Sequence, residues 1–221
     1  MIEPDYWRQL DLVSAEELDF PVVLVGAGGI GSPLALALAK MGCKRLALYD
    51  PDIVEAHNLP TQMYRLSDIG RPKVVALAEL LCQFAPLHVE VRQERVGAQT
   101  LRGVVISTVD SMASRQAIWQ GCVRYRAAVP LYFDARMGAE VCRVLSVNPS
   151  DPDEVRAYEG TLHSDEEAVE DVCTAQAIIY NTFAVAALVA NQVKRHARGE
   201  PLERDVIFDF ATLTLLKGDQ L

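Results

Sequence analysis

The residues best suited to chemistry begin at Val22. A β-branched apolar run, Val22 to Val25, of the kind that forms a central parallel strand, passes at once into Gly26-Ala27-Gly28-Gly29-Ile30-Gly31. Glycines there let the backbone turn sharply and let a ligand come closer than a Cβ would allow. A helix that follows aims its free N–H groups at an anion. The chemistry implied is phosphate handling. About 20 residues beyond the glycines, after a second apolar run from Leu46 to Tyr49, Asp50 stands where a carboxylate can grip a ribose. The spacing is G-x-G-x-x-G, so a dinucleotide-binding unit and a tight turn without ligand are both open on this pattern alone. Which nucleotide binds has to be decided elsewhere in the chain.

The elements that must position these residues follow from periodicity. Ile30, Leu34, Leu38 and Met41 form one stripe of a helix with Pro33 in its first turn and Gly42 at its end. Pro51 to Gln62 is too polar and broken for a strand, and predicts an ordered loop at the carboxyl ends of the strands, where ligands of open α/β sheets sit. Gly70-Arg71-Pro72-Lys73 starts a helix running to about Phe84, with Val74, Leu77 and Leu81 inward. Strands are expected at Val89 to Arg92, Val104 to Thr108 and Leu131 to Asp134, with a helical pattern from about Ser114 to Tyr125. Strand alternating with helix predicts an α/β, Rossmann-like fold: a mostly parallel sheet flanked by helices. Asp110 then falls on the same carboxyl edge as the glycine turn and Asp50. Beyond Gly138 the pattern changes. Glu140 to Val147 reads as a longer strand, and residues 148–172 as a long acidic crossover loop. Cys173-Thr174 is expected to open an Ala-rich helix ending near Arg198-Gly199. Asp205 to Phe210 and Thr212 to Leu216 are expected to extend the sheet as antiparallel strands at its C-terminal end.

Composition excludes several classes. The 221 residues suit one large α/β domain, and the net charge of −9 argues against nucleic acid and against an anionic membrane face. The longest apolar stretch, Ala175 to Val193, carries Gln176, Asn181, Asn191 and Gln192, and so reads as a core or interface helix rather than a membrane span. Cys43, Cys82, Cys122, Cys142 and Cys173 are scattered without metal-ligand spacing. No zinc is expected, and the first four read as small buried thiols. Met1 to Asp19 is acidic and interrupted, which predicts no secretory leader and a cytoplasmic protein; within it, Ser14 and Glu17 form a capping box.

Taken together, Arg8-Gln9, the glycine turn, Asp50-x-Asp52-x-Val54-Glu55, Asn58-Leu59-x-x-Gln62, Gly70-x-x-Lys73 and Asp110 occur in one order that resembles the ThiF/MoeB family. These enzymes adenylate ubiquitin-like and sulfur-carrier proteins. The resemblance covers roughly residues 5 to 217 and implies one ThiF-type adenylation domain. It implies an ATP site in which Gly26, Gly28, Gly29 and Gly31 face the nucleotide, with Gly29 lying against it, and Asp50 holds the ribose. Asp52 and Ser111 belong to the same site. Asn58 and Gln62 bond phosphate oxygens, Lys73 neutralises phosphate charge, and Asp110 holds Mg²⁺. Arg8 matches an arginine that reaches into a partner subunit's site, which implies a homodimer. The partner implied is a small carrier protein ending in glycine, with a conjugating or sulfur-transfer enzyme downstream. Val172-Cys173-Thr174 looks like the family's acyl-accepting thiol, and a helix N-terminus there would favour thiolate. Three departures stand out. Thr61 replaces an arginine common in the family, with Arg65 a candidate substitute. Asp171 replaces the usual proline before the cysteine, and the four zinc cysteines of many bacterial members are missing. The competing functions are an inactive or regulatory subunit, an NAD-dependent oxidoreductase, and adenylation of a small molecule or an RNA base.

Overall fold

A computed structural model of the chain describes residues 4–162 and 177–218. The β-strands are β1 (Val22–Val25), β2 (Arg45–Tyr49), β3 (His88–Arg92), β4 (Val104–Ser107), β5 (Tyr132–Gly138), β6 (Val141–Val147), β7 (Asp205–Asp209) and β8 (Thr214–Lys217). They form one eight-stranded sheet in the order β3-β2-β1-β4-β5-β6-β7-β8. The first five pair in parallel and the last three join antiparallel, as the alternating and then helix-poor sequence pattern predicts. Chain order reverses at β1, whose neighbours are β2 and β4, and that reversal opens a crevice beyond the carboxyl ends of β1 and β4.

Helices α1 (Gly31–Met41), α2 (Lys73–Leu81) and α5 (Ile179–Ala197) cover one face of the sheet, and α3 (Met112–Ile118) and α4 (Pro152–Glu159) lie with the other. The predicted inward stripes are buried: Leu34, Leu38, Val74, Leu77 and Leu81 have no exposed surface. Each such side chain contributes about 1.5–3 kcal/mol to the core. Gly42 ends α1 at φ 106°, a left-handed value suited to glycine, and its N–H donates to Leu38 O and Ala39 O.

Four expectations need correction. The predicted acidic loop contains α4. Asp151 caps it, its carboxylate accepting from Asp153 N–H at 2.8 Å and Glu154 N–H at 3.3 Å, Pro152 sits in the first turn, and the acids there suit the helix dipole. Asp-Pro-Asp-Glu was the signal for this start. The Ala-rich helix begins at Ile179, since Ala177 and Ile178 are not helical, so Cys173 does not open it; Cys173 and the rest of 163–176 lie outside the described residues. The helix after β4 starts earlier than Ser114, because Ser111 caps it, and it continues as a π-helical turn, Trp119–Val123. Finally, Cys82 is exposed, whereas Cys43, Cys122 and Cys142 are buried as expected. The capping box forms: Glu17 accepts from Ser14 N–H at 2.8 Å, and Ser14 Oγ accepts from Glu17 N–H at 3.2 Å. Among the described residues no helix is long and apolar enough to cross a membrane.

Candidate active site

Register brings the ends of three strands to one level. Val25 pairs with Tyr49 on one side and Ser107 on the other, so Gly26, Asp50 and Thr108 follow side by side. Gly26 N–H donates to Tyr49 O and Thr108 N–H to Val25 O, both at 2.8 Å. The glycines divide into two kinds. Gly26 has φ +101°, and a Cβ there would meet Thr108 Oγ1 at 2.8 Å; at Gly31 a Cβ would meet the carbonyl oxygen of Gly26 at 1.9 Å. Both are dictated by the turn itself. A Cβ at Gly28 would approach only Gln62 Nε2, at 3.9 Å, and one at Gly29 would find ordinary contacts at 3.5 Å or more. Neither of these two needs to be glycine for the protein's own packing.

Asp50 is 6 % exposed and braces the turn. One carboxylate oxygen accepts from Ala27 N–H at 2.7 Å and the other from Asp52 N–H at 2.8 Å, and each keeps a lone pair for a further donor. Tyr64, which the sequence did not single out, donates its hydroxyl to Ala27 O at 2.6 Å; burial raises its phenol pKa, which keeps the proton in place. The loop after Asp50 is pinned to the start of α2 by an antiparallel bridge between Ile53 and Pro72, and Lys73 N–H donates to Asp52 O at 3.0 Å. Lys73 is buried at 7 % exposure, with its Nζ 3.0 Å from the half-exposed Asp52 carboxylate. Asn58 is buried at 5 % exposure. Its Oδ1 accepts from Glu55 N–H at 2.9 Å, which turns its amide nitrogen away as the free donor. Gln62 lies over Gly28, and one end of its amide, Oε1, is buried without a partner. Such a group costs about 1–3 kcal/mol until something bonds to it.

At the end of β4, Asp110 is exposed, and its carboxylate makes no hydrogen bond or ion pair among the described residues. The helix cap belongs to its neighbour, since Ser111 Oγ accepts from Ser114 N–H at 3.2 Å. An open carboxylate at the rim fits Mg²⁺, a hard ion content with one protein ligand plus phosphate oxygens and waters. Among the described residues no group of three or more metal-binding side chains gathers into a cage. Arg65 is committed elsewhere: its Nε donates to the buried Asp68 at 3.1 Å, and Arg71 Nη1 bonds the same carboxylate at 3.0 Å. Arg8 lies apart, stacked on Trp7 in a groove with Lys40 and Phe84. Gln9 donates to Met41 O at 2.6 Å, docking this segment on the far end of α1, about 16 Å of helix from the glycine turn.

Sequence reasoning missed a buried charge cluster beneath this edge. Asp134 and Arg136 on β5 and Arg115 on α3 are 0 %, 5 % and 3 % exposed. Arg115 Nε donates to one oxygen of Asp134 at 3.0 Å, and Arg136 Nε to the other at 2.8 Å. Its signal was parity: in Tyr132-Phe133-Asp134-Ala135-Arg136, the charged residues share the face that holds Tyr132.

The fold is that of a Rossmann-like α/β protein with its crevice at the point where strand order reverses. The chain belongs to the ThiF family, whose pattern matches residues 8–214. It is 37% identical over 114 residues to the sulfur carrier protein ThiS adenylyltransferase of Escherichia coli, a stretch covering 48% of this chain and 45% of that one. It is 44% identical over 87 residues to the adenylyltransferase and sulfurtransferase uba4 of Emericella nidulans, covering 39% and 17%. The chain thus spans less than half the length of these relatives. In fold it is similar to the microcin C7 biosynthetic enzyme MccB in complex with N-formylated MccA, with a TM-score of 0.76 at 17% identity over 93% of this chain and 66% of that one.

Proposed function

We propose that this chain is an ATP-dependent adenylyltransferase that activates the C-terminal glycine of a small ubiquitin-like or sulfur-carrier protein. The observation that carries this reading is the crevice itself. Two glycines without a structural reason, a buried lysine, a glutamine amide over Gly28 and an open carboxylate all border the point where strand order reverses. An oxidoreductase needs only the glycines and Asp50, and leaves Asn58, Gln62, Lys73 and Asp110 without work.

In the reaction, an oxygen of the carrier's terminal carboxylate bonds to the α-phosphorus of ATP. The bond from that phosphorus to the bridging oxygen breaks, and pyrophosphate leaves with the electron pair. Gly28 and Gly29 let the phosphates lie close, and Asp50 accepts from the ribose hydroxyls. The amide nitrogens of Asn58 and Gln62 donate to phosphate oxygens, the Gln62 nitrogen being the end that lies over Gly28. Lys73, held ready by Asp52, offsets the charge that builds on the α-phosphoryl group and the leaving group. Asp110 holds Mg²⁺, which when bound screens the negative charge of the triphosphate. With Thr61 in the usual arginine position and Arg65 tied to Asp68, the chain's own positive charge on the phosphates falls to Lys73.

Arg8 sits near the far end of α1 from its own crevice, which supports a homodimer in which it serves the neighbour's site. Thioester formation on Cys173, a cytoplasmic location and a downstream conjugating or sulfur-transfer enzyme rest on the sequence resemblance; the α5 terminus lends Cys173 no support. The test is exchange of labelled pyrophosphate into ATP, with and without a small carrier ending in glycine. Exchange that requires the carrier is expected, and Cys173→Ala should spare it while removing any thiol-sensitive adduct. Binding of NAD without exchange would overturn the proposal. Exchange that ignores the carrier would point to a small-molecule or RNA acceptor.

A further inference from the structure

We propose that Arg115, anchored by Asp134, is the positioning residue that orients Asp110 toward its metal, an inference that rests on the adenylation reading for the role of Asp110. Arg115 is buried on α3 and spans three partners. Its Nε donates to Asp134 Oδ1 at 3.0 Å, and its Nη2 donates to Val109 O at 2.5 Å and Ala135 O at 3.5 Å. Val109 O and Asp110 N belong to one planar peptide unit. Gripping that carbonyl therefore sets the rotation of the plane, and with it the direction in which the Asp110 side chain leaves the backbone. The Asp110 carboxylate has no bond of its own among the described residues to do this. Thr108 N–H bonds Val25 O on one side and the Ser111 cap closes the other, so the peptide held by Arg115 is the link between two fixed points.

Asp134 is the pivot, and its two oxygens serve different ends. Oδ1 takes Arg115. Oδ2 takes Arg136 Nε at 2.8 Å and the Tyr158 hydroxyl at 3.1 Å. Burial raises the pKa of Tyr158 and of Tyr132 beside it, so both stay protonated among the charges. Arg136 then donates to Thr161 O at 3.0 Å and Thr161 Oγ1 at 2.9 Å, at the end of α4. The two guanidinium groups share one carboxylate and equal burial, yet only Arg115 reaches the Asp110 peptide. Lysine at either place keeps the charge and loses the fork that bonds several partners at once.

That symmetry supplies the control. Arg115→Lys and Arg136→Lys are compared with the intact chain in three measurements: the melting temperature, the ¹⁵N heteronuclear NOE at Asp110 and Ser111 without nucleotide, and the Mn²⁺ concentration giving half-maximal binding of a non-hydrolysable ATP analogue. Both variants should melt lower. Only Arg115→Lys should lower the NOE at Asp110 and raise the metal requirement, by about tenfold, the usual effect of losing a group that orients a metal ligand. Should Arg115→Lys not fold, Asp134→Asn is expected to shift the same two readouts. Unchanged NOE and metal requirement in the folded variant, or equal changes in Arg136→Lys, would overturn the proposal. If the intact chain shows no pyrophosphate exchange while the NOE falls in Arg115→Lys alone, the adenylation reading fails and the positioning of Asp110 stands.

Discussion

Alanine substitution at two glycines of the turn separates what the backbone requires from what a nucleotide requires. At Gly31 an added Cβ would lie 1.9 Å from the carbonyl oxygen of Gly26, a backbone atom that cannot move without breaking the strand-to-helix turn. Gly31→Ala should therefore cost on the order of 3 kcal/mol, the range of an overpacked core site. At Gly29 the nearest atoms to an added Cβ are Thr182 Cγ2 at 3.5 Å, Met137 Cε at 3.7 Å and Thr61 O at 3.8 Å, all ordinary contacts. The backbone there is not left-handed, so Gly29→Ala should leave the fold unharmed or stabilise it by about 0.4–1 kcal/mol by restricting the unfolded chain. In a domain of this size that is a change of a few degrees in melting temperature, roughly 2–4 °C per kcal/mol. Nucleotide binding should respond in the opposite sense. If the phosphates rest against Gly29, the methyl group takes their place and ATP affinity falls by about 100-fold, or roughly 2.7 kcal/mol. Thermal melts and calorimetric titration with ATP, run on the same preparations, read both effects. A Gly29→Ala protein that melts normally and binds ATP as tightly as its parent would refute the placement of the nucleotide against the glycine turn.

Lys73→Ala and Asp110→Ala should each reduce pyrophosphate exchange by at least about 100-fold. Asp110→Ala should change stability by less than about 0.5 kcal/mol, because the carboxylate is exposed. Asp110→Ala with parental exchange at every magnesium concentration would show that this carboxylate does not hold the metal. Asp68 gives a pH-dependent prediction. Burial raises its pKa, but hydrogen bonds from the Arg65 backbone and from the guanidinium groups of Arg65 and Arg71 outweigh this and leave it below the usual carboxylate value. A lowered folded-state pKa contributes stability above the unfolded value, and that contribution is lost as pH falls through the folded one. Asp68→Asn should thus cost about 1–2 kcal/mol in urea melts at pH 7, discounted because both arginines are partly exposed, and the deficit should shrink in acid. A deficit independent of pH would mean that the charge of Asp68 is not what holds the loop between Gln62 and Lys73.

The amino-acid sequence by itself determined the strand and helix alternation, the glycine turn, the stripe of α1, the start of α2 at Lys73 and the antiparallel finish of the sheet. Each depends on a period or a turn residue within a few positions, so local chemistry was enough to read it. It also placed Asp50 and Asp110 on one edge, because parallel strands joined by right-handed crossovers must end together. Only the tertiary structure decided which glycines are free to meet a ligand, since that depends on Thr108 and Gln62, distant in the chain. It alone showed that Arg65 is spent on Asp68 and that Asp134 carries two arginines. The physical reason is the same throughout. A charged or polar side chain in an otherwise apolar stretch has its fate set by the groups facing it across the sheet, and no window of sequence contains both partners.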